Sequence, residues 1–283
     1  MPTYSLLDFG EKQRLEQWGE YRLIRPDPTA GGPMSAPEEW KTVDAEFIGE
    51  KGKGEWKKNR NLPEHWPVTF DDLTLLARLA PYKHTGIFPE QRENWQWMRS
   101  KAKQVHAPLR VLNLFAYTGG ATVALSKDGH HVTHVDSAKP SIGWAKENAV
   151  LNMIAPDRAR WILDDAQTFV TRELKRQKSY DGIILDPPAF GHSPTGKTWR
   201  VERDLRPLLE DCTALLSEKP CFIVLNGYAQ NAEPESYAIL LRAILKSKRP
   251  ELRSIITAHD LTLQAKDGRE LSTGSTVRGR FEK

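Results

Sequence analysis

Only two cysteines, Cys212 and Cys221, occur among the 283 residues. That is too few for a disulfide framework or a cysteine-built zinc site. No apolar run approaches the ~18 residues that a membrane-spanning helix needs. The N-terminal stretch MPTYSLLDFGEKQRLEQ lacks the apolar core of a secretory signal. A cytoplasmic protein with no membrane attachment is expected. Neither sign of charge dominates, since 41 Lys and Arg face 37 Asp and Glu for a net +4. Such a balance permits nucleic acid as a partner without demanding it. The eight histidines show no metal-ligand spacing. His130, His131 and His134 share one stretch, but strand alternation puts His131 on the face opposite the other two. No metal is expected.

What is present is unevenly spread. Six of the nine tryptophans lie within residues 1–106: Trp18, Trp40, Trp56, Trp66, Trp95 and Trp97. Turn residues punctuate the same region, as in RPDPTAGGP (25–33). Val43, Ala45 and Phe47 alternate before GEKGKGEW (49–56) turns the chain, which predicts a small antiparallel β unit. The spacing in DDLTLLARLA (71–80) predicts a helix. A second helix is expected to begin at Pro89, with Glu90 and Glu93 in its first turn and Lys101 and Lys103 in its last, the order a helix dipole favours. At the other end, residues 242–283 carry ten Lys or Arg against five Asp or Glu.

From residue 109 the pattern alternates. Strands are predicted at 110–115, 131–136, 159–163, 181–186 and 221–226. Helices are predicted at 120–128, 138–152, 165–177, 201–217 and 234–247. Apolar strands separated by helices of this length make βαβ units and a parallel sheet. LRSIITAHDLTL (252–263) and STVRGRF (275–281) would close it with an antiparallel hairpin. The fold class is therefore α/β, a mostly parallel sheet ending in that hairpin (107–283), preceded by a small β-rich domain with a helical lead-in (1–106).

Ligands of open α/β sheets bind at the carboxyl ends of the strands. The first predicted strand there runs into AYTGG (116–120), where Gly119 and Gly120 leave room for a close approach to the backbone. The dinucleotide fingerprint G-x-G-x-x-G is absent. Asp136 ends the second strand, placed to accept from ribose hydroxyls. Asp164-Asp165-Ala166 end the third, where a carboxylate can accept from an adenine amino group. A ribose and an adenine without a pyrophosphate point to S-adenosylmethionine (SAM). Each acid taken alone is equally well a helix cap. The fourth strand ends in Asp186-Pro187-Pro188, followed by Ala189 and Phe190. Proline holds the residue before it extended, so the Asp186 carboxylate and the Pro187 carbonyl are rigid acceptors beside an aromatic ring. That set suits a planar substrate bearing an N–H group.

VLNLFAYTGG (111–120), the Asp136 strand end, WAKENAVLN (144–152), DDA (164–166) and DPPAFG (186–191) together resemble the class I SAM-dependent methyltransferases, whose sheet is Rossmann-like. The branch most similar contains the large-subunit ribosomal RNA methyltransferases I and K, and FPEQRENW (88–95) is similar to an element of that branch lying beside the cofactor. LLDFG, YRLIRPDP and HTGIFPEQ extend the resemblance to an uncharacterised bacterial group with a small β-rich N-terminal domain. The PUA-type RNA-binding module of methyltransferase I is not recognisable. The resemblance implies Phe115, Tyr117, Thr118 and Gly119 around the methionine part of SAM. It implies Asp136 on the ribose with Ser137 beside it, Asp165 and Ala166 at the adenine, and Gln91 near the cofactor. Asp186, Pro187 and Phe190 would face the methyl acceptor, with RNA the expected partner. Ala189 stands where amino-methylating relatives often carry an aromatic. A protein or small-molecule acceptor, or a binding protein without activity, are the alternatives.

GHSPTGKT (191–198) fits the phosphate-loop pattern G-x-x-x-x-G-K-[ST] between a predicted strand and helix. Two prolines intervene after the strand, and proline cannot donate the backbone N–H groups a phosphate cradle needs. A mobile loop at the acceptor site is expected instead, with Lys197, Arg200, Arg203 and Arg206 available to phosphates. Methylation at a cytosine carbon requires a thiolate that adds to the ring. Methyltransferase I relatives place one after the fifth strand, where this chain has Asn226-Gly227-Tyr228. A nitrogen or oxygen acceptor is expected.

Overall fold

Left-handed residues in two-residue turns give the first part of the chain its hairpins. Glu11 and Lys12 (φ 51° and 62°) join strands β1 (Tyr4–Gly10) and β2 (Gln13–Trp18), and Gly19 (φ 65°) precedes β3 (Tyr21–Pro26). With β4 (Ala45–Glu50) and β5 (Lys53–Lys58) these strands form a five-stranded sheet in sequential order. β4 and β5 pair antiparallel, as predicted, with Phe47 opposite Trp56, but β3 and β4 run parallel. The computed structural model describes residues 3–50, 53–192, 198–228 and 233–282.

The helix predicted over 71–80 is a strand. β6 (Trp66–Phe70) and β7 (Leu73–Ala77) form a hairpin about Asp71 (φ 55°) and Asp72. Leu73, Leu75 and Ala77 are buried on one face, so the period of two prevails over the helical spacing that the same leucines also satisfy. Aspartate tolerates the left-handed turn. The tryptophans of this region build its interior: Trp18, Trp40 and Trp66 are buried, and the Trp56 indole donates to the Ala80 carbonyl at 2.7 Å. Glu16 is fully buried. Burial alone would raise its carboxyl, but Arg14 and the forked Arg25, at 2.6 and 2.9 Å, bring it down to about 2.

Two units are distinct: Met1–Arg92 with Thr262–Thr273, and Glu93–Leu261 with Gly274–Lys283. The division falls at Arg92/Glu93 rather than the expected 106/107. The intervening helix α1 (Arg92–Ala102) follows a 3-10 turn at Pro89–Gln91. From Glu93 onward it packs within the second unit, where the Trp97 ring lies 6.2 Å from that of Phe222.

The second unit alternates β8 (Arg110–Leu114), α2 (Gly120–Lys127), β9 (His131–Asp136), α3 (Lys139–Leu151), β10 (Ala159–Leu163), α4 (Ala166–Lys175) and β11 (Gly182–Leu185). A two-stranded ribbon, β12 (Phe190–His192) and β13 (Thr198–Arg200), precedes α5 (Val201–Ala214), β14 (Phe222–Gly227) and α6 (Pro234–Lys248). Strands β15 (Ser254–Gln264) and β16 (Glu270–Phe281) complete a seven-stranded sheet ordered β10-β9-β8-β11-β14-β16-β15. Its first five strands are parallel and β16 is antiparallel to β14. Every residue of β11 and β14 is buried, as expected of strands covered on both faces. Leu112, Leu114, Ile183, Leu185, Ile223 and Leu225 form the middle of this core. Each contributes about 1.5–3 kcal/mol of apolar burial. Parallel strands put all five carboxyl ends on one edge, which assembles the site.

Candidate functional site

Between β8 and α2 the backbone enters the left-handed region at Phe115 (φ 56°), Tyr117 (φ 47°) and Gly119 (φ 85°). For the two aromatic residues that conformation costs about 1–3 kcal/mol each and persists only where surroundings enforce it. Here the Tyr117 N–H donates to Asp136 Oδ2 at 2.8 Å, and the Asn148 amide donates to the Thr118 carbonyl at 2.8 Å. The glycines serve internal packing. A Cβ on Gly119 would lie 2.9 Å from that of Ala145, and one on Gly120 would lie 2.4 Å from the Trp95 ring. Close approach of the protein's own side chains is thus the visible reason for both.

Asp136 is pinned on both oxygens, since the Ala138 N–H donates to its Oδ1 at 2.8 Å. Burial raises this carboxyl against the backbone donors that oppose it. The Ser137 N–H also donates to it, so of the roughly four lone-pair sites that a carboxylate offers, three are used and one is left. Ser137 lies half-buried beside it. Asp165 caps α4, accepting from the Thr168 N–H at 3.0 Å and its hydroxyl at 2.8 Å, while Asp164 pairs with Arg172. Ala166 is buried at the first position of the helix.

Asp186 follows β11, its N–H directed at the Leu114 carbonyl at 3.4 Å. Burial pushes its carboxyl up to about 6, opposed by hydrogen bonds with the Asn226 and Tyr228 side chains. Its Oδ1 is buried with no hydrogen-bond partner. Pro187 is buried, whereas Phe190 is 52% exposed. Trp199 returns from the neighbouring strand, packs against Phe115 at 5.0 Å between ring centres, and donates its indole N–H to the Pro188 carbonyl at 2.7 Å. Arg200 stands 5.9 Å from the Phe190 ring. The strand ends therefore bring together Phe115, Tyr117, Thr118, Gly119, Asp136, Ser137, Asp165, Ala166, Asp186, Pro187 and Phe190. Gln91 belongs to the first unit, where it is buried at the close of the 3-10 turn. Sequence alone does not single out Asn94 or Asn148. It marks Asn226 only for the cysteine it replaces, although a polar residue closing the apolar run CFIVL is an available signal.

The phosphate-loop pattern has the wrong flanks. Gly191 and His192 pair with Trp199 and Thr198 as adjacent antiparallel strands, and the helix begins only at Val201. Residues 193–197, including Lys197 and the expected mobile loop, lie outside the described residues. Cys212 is buried in α5 with its thiol pushed up by burial, and Cys221 precedes β14 at the end opposite Asn226. Among the described residues no cluster of His, Cys, Asp or Glu is arranged for a metal ion, and no helix is long and apolar enough to cross a membrane.

The residues present suit SAM: the Asp136 carboxylate keeps an acceptor site for a ribose hydroxyl, and the orphaned buried oxygen of Asp186 is left for a donor on the methyl acceptor. Comparison with known proteins agrees. A family model for S-adenosylmethionine-dependent methyltransferases matches residues 43–225. The ribosomal RNA large subunit methyltransferase K/L of Alteromonas mediterranea is 33% identical over 180 residues, 63% of this chain and 25% of that protein. Methyltransferase K of Neisseria meningitidis is 28% identical over 222 residues, 74% of this chain and 61% of that protein. The chain spans between 23% and 29% of the length of the first three K/L proteins it matches. A SAM-dependent methyltransferase structure from Agrobacterium tumefaciens superposes with a TM-score of 0.92 at 36% identity, covering 98% of this chain and 90% of that one. SMU.776, complexed with S-adenosylhomocysteine, shares the fold with a TM-score of 0.75 at 18% identity, covering 99% and 76%. With the family model spanning more than half its length, this chain belongs to the S-adenosylmethionine-dependent methyltransferase family.

Proposed function

We propose that the protein methylates a nitrogen of an RNA base, with ribosomal RNA favoured. The observation carrying this reading is the Asp186 carboxylate, whose buried Oδ1 has no partner. A base amino group would donate its N–H there. With its carboxyl raised to about 6, Asp186 is ionised at neutral pH yet basic enough to take a proton late in the reaction. The exposed Phe190 ring offers a stacking face to the base, and Arg200 a charge for its phosphate. SAM supplies an electrophilic methyl group. Phe115, Tyr117, Thr118 and Gly119 would hold its methionine part, Asp136 with Ser137 its ribose, and Asp165 with Ala166 its adenine. The cysteine positions favour nitrogen over carbon, since neither thiol lies at the carboxyl end of β14. The relatives named for ribosomal RNA favour RNA over other acceptors.

Tritiated SAM offered with separated RNA, protein and small-molecule fractions tests the reading. Label is expected in RNA, with binding that weakens steeply as salt rises. Arg200→Glu with Arg206→Glu should flatten the log–log salt slope by about 0.7 for each phosphate that is no longer neutralised. Label confined to protein or metabolites would overturn the RNA assignment. SAM binding without label in any fraction would favour a binding protein.

A further inference from the structure

A line of buried polar side chains leads from Asp186 across β14 to β16 and α1. Asn226 is 1% exposed, and Asn94 and Thr276 are 0% exposed. Asn94 Nδ2 donates to Asn226 Oδ1 at 3.0 Å. Asn94 Oδ1 accepts from Arg278 Nε at 2.7 Å and from the Thr276 hydroxyl at 3.2 Å. Arg278 Nη2 donates to Glu93 Oε1 at 2.8 Å, and His259 Nε2 lies 3.0 Å from the same oxygen.

The direction of this line follows from the donors. A guanidinium can only donate, so Asn94 must turn its carbonyl toward Arg278. Its NH2 then faces Asn226 and meets that residue's carbonyl. The Asn226 NH2 is left for Asp186, with which the Asn226 side chain hydrogen-bonds. An amide is nearly symmetrical in shape, so Asn226 without this lock turns over at little steric cost. Reversed, it would set a carbonyl against Asp186, a pairing that only the protonated carboxyl can satisfy, so freedom to turn favours the protonated form.

We propose that Asn94 is a positioning residue: Arg278 and Thr276 fix its amide, its amide fixes that of Asn226, and Asn226 holds Asp186 with Oδ1 turned to the methyl acceptor. The inference rests on Asp186 being the acceptor-binding group. The charged or titratable groups facing the line are Glu93 at the start of α1, His259 on β15, Arg278 on β16 and Tyr228 beyond β14. None of the charges is among the causes acting on Asp186, and Arg278 is offset by Glu93. Orientation of the Asn226 amide is the lever.

The test is an NMR titration of the full-length protein labelled with 13C at the aspartate carboxyls, without cofactor. Asp186→Asn identifies the resonance, whose midpoint should fall near 6. Asn94→Leu keeps the Arg278–Glu93 pair but frees Asn226. It should raise the Asp186 midpoint by about one unit, a tenfold change in proton affinity. Arg278→Met with Glu93→Gln, neutral in net charge, should move it the same way, whereas Arg278→Lys, which keeps a donor, should stay near wild type. An unmoved midpoint in folded Asn94→Leu overturns the proposal. If that variant does not fold, an unmoved midpoint in the double variant does so. No methyl acceptor is needed, so this outcome is separate from failure of RNA methylation.

Discussion

Burial of the Asp186 carboxylate makes the stability of the fold depend on pH. Its folded-state pKa of about 6 lies above the ordinary 3.8, so between those values the folded chain binds a proton that the unfolded chain has released. Stability is unaffected below about pH 4 and falls as pH rises through 6, by at most about 3 kcal/mol. Asp186→Asn removes the buried charge. It should melt at a higher temperature than wild type at pH 8, the gap should close by pH 4, and methyl transfer should be lost. A gap independent of pH, read by calorimetry across that range, would show that the buried carboxylate is not its source. Asp186 was legible in the sequence because proline restricts its backbone and the strand before it is wholly apolar. Asn94 and Asn226 were not, because an asparagine declares nothing about its partners until strands and helices 132 positions apart are brought together.

Among the elements, the parallel strands were legible because apolar runs such as GIIL and CFIVL, set between helices, have no other way to be covered. LTLLARLA satisfied two periods at once. The Asp71-Asp72 pair just before it was the deciding sign, since it allows a tight turn where a helix would need none. Helix α4 raises the remaining ambiguity, because Asp165 caps it and is also expected to meet adenine. Two substitutions separate these roles. Asp165→Ala should lower stability by about 0.5–2 kcal/mol and weaken SAM binding. Asp165→Ser keeps a good cap, so denaturation should find most of the stability restored while calorimetry finds SAM affinity still reduced. If Asp165→Ser binds SAM as wild type does, the cap is the whole role of this carboxylate.

At the scale of the molecule, the β15–β16 hairpin belongs to both units. Its outer part, Thr262–Thr273, adds Leu263, Ala265 and Leu271 to a cluster with Leu6, Phe9 and Ala30. Arg269 reaches the buried Asp8 carboxylate at 2.5 Å. Burial of the two leucines contributes about 1.5–3 kcal/mol each, a large share for a unit of this size. A chain ending at Arg92 should therefore show no cooperative thermal transition by circular dichroism, and a sharp transition would mean that the hairpin is dispensable. The sequence suggested a boundary that one cut could make, because nothing in LTLQAKDGRELST marks it as part of a core begun at residue 4. The polypeptide passes between the units at three peptide bonds. A gene exchange at the first or second of them would part the five-stranded sheet from the segment that completes its interior, and one at the third would take the last ten residues from the other unit, so no single crossover point delivers both units whole.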